Sequence, residues 1–131
     1  MRALITAALL LASAALHAAT ADFAGGCFWC MEADFEKKVG VSNVVSGFTG
    51  GTLKNPTYRG NHEGHYEAVR VTYDPDEVSY EELLAHFWRN IDPLDNGGQF
   101  CDRGFSYRAA IFVADEAQRE AAQASLAKVA A

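Results

Sequence analysis

The sequence has 131 residues, half of them hydrophobic, 11% aromatic and 21% charged, with only three prolines. That is the composition of one globular domain; it excludes disordered, collagen-like and low-complexity classes, and three cysteines are too few for a disulfide-built miniprotein. A net charge of −6 with scattered Lys and Arg lacks the basic footprint of a nucleic-acid binder and gives no attraction to anionic membrane surfaces.

The chain opens with Met1-Arg2 and an uncharged apolar run from Ala3 to Leu16. Small residues follow, offering cleavage after Ala18 or at Ala19-Thr20-Ala21. This is the layout of a secretory signal peptide, and fourteen apolar residues are short of the roughly 20 that a membrane span needs. The expectation is a leader over residues 1–18, no membrane attachment after its cleavage, and a domain over residues 19–131 exported to the periplasm or medium. In such an oxidising compartment an odd number of cysteines needs an explanation.

Ala19 to Gly25 alternates around Phe23 and reads as a short strand ending in Gly25-Gly26. From Cys27 to Lys38 the apolar Phe28, Met31 and Phe35 recur at helical spacing, and Gly40 stops that helix. Val41 to Phe48 is a β-branched strand. Thr49 to Gly64 is rich in Gly, Asn, Pro and Thr, a long loop of the kind that carries function. His65 to Tyr73 alternates, with Glu67, Val69, Val71 and Tyr73 on one face and Tyr66, Ala68, Arg70 and Thr72 on the other. After the turn Asp74-Pro75-Asp76, Ser79 caps a helix to Asn90, and Glu82 completes a capping box. Ile91 to Ser106 reads as a second long polar loop, Tyr107 to Ala114 as a strand, and Asp115 begins an Ala-rich terminal helix. The order β-α-β-β-α-β plus a final helix predicts an α+β fold, a ferredoxin-like α/β plait with both helices on one face of an antiparallel sheet.

Cys27 stands where a strand gives way to a helix, after two glycines that allow a tight turn. A helix N-terminus presents unpaired N–H groups and the positive end of the helix dipole, which favour the nucleophilic thiolate over the thiol. The plainer alternative is a small buried hydrophobe; the Gly-Gly turn and the adjoining Phe28-Trp29 weigh toward a nucleophile. Cys27 and Cys30 also form a CxxC, which in an exported protein could be a redox pair, a plain disulfide or half of a metal site. His62 and His65 could complete C-x2-C with H-x2-H, but the 31 residues between the halves exceed zinc-finger spacing, so no metal is expected and the histidines are expected to shape the loop. A thioredoxin-like reading fits the CxxC but not the strand–helix order.

Several segments together resemble a known family. Gly-Cys-Phe-Trp at 26–29 is similar to the active-site signature of peptide-methionine (S)-S-oxide reductases, the A-type methionine sulfoxide reductases. Gly47-Phe48-Thr49-Gly50-Gly51, Asn55-Pro56-Thr57-Tyr58 and Gly64-His65-Tyr66-Glu67-Ala68-Val69 resemble that family's motifs in order. So do Tyr73-Asp74-Pro75, Phe87-Trp88, Asp92-Pro93 and Asp102-x-Gly104-x-x-Tyr107-Arg108. The resemblance implies the same plait. It implies Cys27 as the nucleophile that attacks a sulfoxide sulfur and is left as a sulfenic acid. Glu67 would protonate or polarise the sulfoxide oxygen, a task for a carboxyl whose pKa is raised in an apolar pocket. Tyr58 and Tyr107 would donate hydrogen bonds to that oxygen, and Asp102 would hold the polar side of the pocket. Phe28 and Trp29 would form an apolar wall for the S-methyl group, although Phe28 also suits a helix-face core position.

By the same resemblance the activity needs no metal or organic cofactor. Its partners are methionine sulfoxide, free or in proteins, and a thioredoxin-like dithiol reductant, and a monomer is expected. The chain departs from the family in two ways. It is C-terminally short, ending at Ala131 where family members continue, often with a resolving cysteine. It also carries Cys30 where many members have glycine, and Cys101 before Asp102; either could resolve the sulfenic acid. The alternatives are a secreted thiol-disulfide oxidoreductase and a non-catalytic domain whose CxxC is a structural disulfide.

Overall fold

A computed structural model of the protein describes residues 17–131; most of the expected leader, residues 1–16, lies outside the described residues. The elements are β1 (Ala19–Gly25), α1 (Phe28–Glu36), β2 (Val41–Thr49), β3 (Tyr66–Tyr73), α2 (Tyr80–Arg89), β4 (Gly98–Gln99), β5 (Asp102–Arg103), a 3-10 turn (Phe105–Tyr107), β6 (Ala109–Phe112) and α3 (Glu116–Ala130). Four strands form one antiparallel sheet in the order β2-β3-β1-β6. With β6 as the fourth strand, this is the order of the ferredoxin-like plait predicted from the element pattern.

Alternation within the strands decides which face is buried. In the pairing of β1 with β3, Phe23 lies opposite Val69 and Ala21 opposite Val71. These four side chains are at most 2% exposed. The intervening pair, Asp22 and Arg70, points to the other face and forms a two-pronged ion pair with N–O distances of 2.9 and 2.7 Å. On β2, Phe48 lies opposite Glu67, so Glu67 belongs to the core-facing row.

Phe23 sits at the centre of the core. Its ring stacks on Phe35 of α1 at 5.0 Å and on Phe87 of α2 at 5.2 Å. The predicted stripe of α1 is the buried one: Phe28, Met31 and Phe35 are all at most 5% exposed. The predicted capping box of α2 forms in both directions, Glu82 N–H donating to Ser79 Oγ at 3.1 Å and Ser79 N–H donating to Glu82 Oε2 at 2.8 Å. Asp115 caps α3 by accepting from Gln118 N–H at 2.8 Å. Trp88 Nε1–H donates to Ser125 Oγ at 3.0 Å and ties α3 to α2.

The segment expected to be one loop from Ile91 to Ser106 is more ordered than its composition suggests. It holds a two-residue-per-strand hairpin, β4–β5, in which Gly98 faces Arg103 and Gln99 faces Asp102, followed by the 3-10 turn. Consequently the last strand is shorter than Tyr107 to Ala114. Strands of two residues have no periodicity to read. The hairpin is held instead by a bidentate ion pair from Arg103 to Asp95, at 2.5 and 2.9 Å, and by Gln99.

Candidate active site

The site begins at the turn between β1 and α1. Gly26 has φ +90, a conformation that costs a side-chain-bearing residue energy, and a Cβ there would lie 2.8 Å from Cβ of Gln99. The hairpin thus presses directly on the turn, and only glycine fits between. Cys27 follows as the N-cap of α1, its carbonyl accepting from Cys30 N–H at 3.1 Å and Met31 N–H at 3.2 Å.

The Cys27 side chain does not cap its own helix; a residue 39 positions away from Phe28 does. Glu67 Oε2 accepts the N–H of Phe28 at 3.1 Å. Glu67 is 2% exposed, which takes its carboxyl out of water and raises its pKa. The Phe28 hydrogen bond and nearby His62 oppose that shift, Asp102 adds to it, and the net direction is upward. A buried carboxyl whose pKa is raised is therefore pinned beside the residue that follows Cys27.

Two tyrosines close on this pair from separate loops. The Tyr58 ring stacks against Phe28 at 5.8 Å and Trp29 at 4.9 Å. Tyr107 ends the 3-10 turn; burial raises its phenol pKa, and Glu67, Tyr58, Asp102 and Cys27 raise it further. That set of neighbours places all five polar residues expected from the sequence, Cys27, Tyr58, Glu67, Asp102 and Tyr107, in one locality. Asp102 sits on β5 opposite Gln99 and acts electrostatically on Glu67, Tyr107 and Cys30.

The two aromatic residues expected to wall the pocket differ in character. Phe28 is 5% exposed and packs on Phe48 at 5.5 Å, so it is part of the core as well as the base of the aromatic cluster. Trp29 is 56% exposed and forms the open rim with Tyr58. Cys30 lies one helical turn from Cys27 and is exposed; its thiol pKa is raised first by its hydrogen bond with Cys27, then by partial burial and the charges of Cys27, Asp102 and Asp34. Cys101 is also exposed, in the two-residue turn of the β4–β5 hairpin beside Phe100, whose φ is +54.

The two histidines shape the long loop, as expected. His65 accepts from Gly51 N–H through Nδ1 at 3.2 Å and donates from Nε2 to the Leu53 carbonyl at 2.9 Å, so both ring nitrogens are engaged by backbone. Among the described residues no group of three or more His, Cys, Asp or Glu is arranged to hold a metal ion. Sequence reasoning missed Gln99. It is 1% exposed, accepts from Asp92 N–H at 2.7 Å and donates to the Asp92 carbonyl at 2.9 Å, fastening the hairpin against the Gly26 turn. Its signal in the sequence is the pair of glycines before it, Gly97 and Gly98.

The arrangement is a cysteine at a helix N-terminus, a buried carboxyl of raised pKa beside it and two phenols around both. It suits attack by sulfur on an electrophile whose oxygen must gain a proton, and so defines a site of the cysteine-nucleophile class on a ferredoxin-like plait. Comparison with known proteins agrees with that class. The profile of the family "Peptide methionine sulfoxide reductase" matches residues 19–131, and the chain belongs to this family. It is 60% identical over 117 residues to peptide methionine sulfoxide reductase MsrA 2 of Caulobacter vibrioides, covering 87% of this chain and 59% of that one. It is 54% identical over 113 residues to MsrA of Bacillus subtilis, covering 84% and 64%. Among solved structures, methionine sulfoxide reductase A of Corynebacterium diphtheriae superimposes with TM-score 0.74 at 34% identity, over 86% of this chain and 58% of that one. Mxr1 of Saccharomyces cerevisiae in reduced form shares the fold, with TM-score 0.75 at 21% identity, over 85% and 67%. The chain thus spans about three fifths of the length of these curated relatives.

Proposed function

We propose that the protein reduces the S epimer of methionine sulfoxide, free or in proteins, to methionine. The observation that carries this reading is the hydrogen bond from Phe28 N–H to buried Glu67, because it joins the acid to the helix start that bears Cys27. The Cys27 sulfur attacks the sulfoxide sulfur. Glu67 delivers a proton to the oxygen, while the Tyr58 and Tyr107 hydroxyls donate hydrogen bonds to it and stabilise the charge that develops there. Asp102 holds the polar side of the pocket, and Phe28 and Trp29 face the S-methyl group. Oxygen passes to Cys27, leaving its sulfenic acid, and the methionine thioether departs.

The Cys30 thiol then attacks the sulfenic sulfur, forming the Cys27–Cys30 disulfide and releasing water. Its place one helical turn from Cys27 supports it over Cys101 as the resolving residue. An external dithiol, of thioredoxin-like chemistry, returns both cysteines to thiols and is itself oxidised to a disulfide. The leader-like residues 1–18 support export, and we take the working unit as a monomer. The reaction needs no metal or organic cofactor. The experiment is turnover of an (S)-methionine sulfoxide peptide with dithiothreitol by wild type and Cys27→Ser. Loss of turnover in a folded Cys27→Ser protein is expected, and undiminished turnover overturns the assignment. Insulin-disulfide reduction without sulfoxide turnover would favour a general thiol-disulfide oxidoreductase.

A further inference from the structure

His62 has no contact with a reacting atom in the chemistry above, only an electrostatic influence on Glu67, yet it is the node between two segments that carry that chemistry. Its Nδ1 lies 3.1 Å from the Thr57 carbonyl, an acceptor, so Nδ1 carries the proton and donates. Thr57 N–H in turn donates to the Asn61 carbonyl at 3.0 Å. Both backbone groups of Thr57 are therefore fastened to the 61–62 segment, and Tyr58 stands at the head of the closed loop. The His62 carbonyl accepts from His65 N–H at 3.0 Å, at the residue just before β3, the strand of Glu67. Its ring stacks on Phe48 at 4.8 Å with an interplanar angle of 17°, and Phe48 lies opposite Glu67 in the sheet register.

We propose that His62 is a positioning residue for Tyr58, its Nδ1–H to Thr57 hydrogen bond locking the Tyr58 loop at a fixed place relative to Glu67. Tyr58 is 47% exposed and sits on a loop of exposed residues, with ring contacts to Phe28 and Trp29 that leave its hydroxyl height unspecified. The clip supplies that specification. A hydroxyl aimed at a developing charge must be held closely, since a displacement of about 1 Å can cost on the order of 10²-fold in rate. The inference rests on the reading of Tyr58 as a donor to the sulfoxide oxygen.

Two substitutions separate the clip from the stack. His62→Asn keeps an N–H donor near the Nδ1 position and removes the aromatic ring. His62→Phe keeps the ring and removes the donor. Turnover of a methionine sulfoxide peptide with dithiothreitol is measured for each, alone and in a Tyr58→Phe background, together with the NMR resonances of the Trp29 indole ring, which packs on Tyr58. His62→Phe is expected to lower kcat by about 10- to 100-fold with a smaller change in KM, and His62→Asn to stay within about threefold of wild type. His62→Phe should add nothing in the Tyr58→Phe background, and it alone of the two should shift the Trp29 resonances. Equal damage by both variants, an undiminished His62→Phe effect without the Tyr58 hydroxyl, or unmoved Trp29 resonances in His62→Phe would overturn the inference. If Tyr58→Phe itself turns over like wild type, the catalytic reading of Tyr58 falls; a Trp29 shift confined to His62→Phe then still supports the positioning role.

Discussion

Glu67→Gln separates the proton of Glu67 from its shape. The glutamine carbonyl can still accept the Phe28 N–H that Glu67 Oε2 receives at 3.1 Å, so the start of α1 stays capped. The amide N–H can still donate to a sulfoxide oxygen but cannot hand over a proton. On the proposed mechanism, what is lost is general-acid transfer, which contributes typically ~10²–10⁴-fold, or about 2.7–5.4 kcal/mol at about 1.36 kcal/mol per decade. The fall should appear in kcat more than in KM, and the part of the pH profile that tracks Glu67 ionisation should vanish. Stability should move the opposite way. Burial, the largest influence on Glu67, raises its folded-state pKa above the unfolded value. The folded protein then holds more protons than the unfolded chain between those two values, so stability declines as pH rises through the folded pKa. Above that pH Glu67→Gln should be more stable than wild type, and below the unfolded pKa the two should differ little. Steady-state kinetics across pH and urea unfolding at one acidic and one alkaline pH provide the test. Wild-type kcat with an unaltered pH profile would refute the general-acid role. A Gln variant destabilised equally at both pH values would refute the argument from burial.

Three further outcomes follow from the same packing. After one turnover with stoichiometric sulfoxide and no reductant, peptide mapping should find Cys27 linked to Cys30 and Cys101 still alkylatable, since a disulfide needs Cα atoms about 4.4–6.8 Å apart and one helical turn supplies that; a Cys27–Cys101 peptide would reverse the choice. Gly26→Ala should lose about 2–4 kcal/mol in urea unfolding, from its positive φ together with the 2.8 Å approach to Gln99, and a loss below about 0.5 kcal/mol would contradict that packing. Ser79→Ala should lose about 1 kcal/mol without changing turnover, because it removes one half of the α2 capping box, whose hydrogen bonds join Ser79 to Glu82 and touch none of the site residues.

Much of this protein is written locally. Phe28, Met31 and Phe35 mark the buried stripe of α1 by spacing alone, and Ser79 with Glu82 marks the start of α2. The alternation of β3 puts Glu67 in the same row as Val69 and Val71, so an acid on the core face is legible from the residue pattern alone. Such features are determined by residues a few positions apart, through the 3.6 and 2.0 periods of helix and strand. What lies over Glu67 is not legible that way. The Phe28 amide is 39 residues distant, and only sheet order and register bring the two together. The β4–β5 hairpin is hidden for a related reason: two residues per strand carry no period, and its stability comes from Arg103 on Asp95 and Gln99 on Asp92. Tyr58, Asp102 and Tyr107 could be named as candidates from motifs, and residue type alone gives two phenols and a carboxyl. That all three converge on Cys27 and Glu67 was decided by tertiary packing, because desolvation and mutual electrostatic influence depend on distance in space, not on position along the chain.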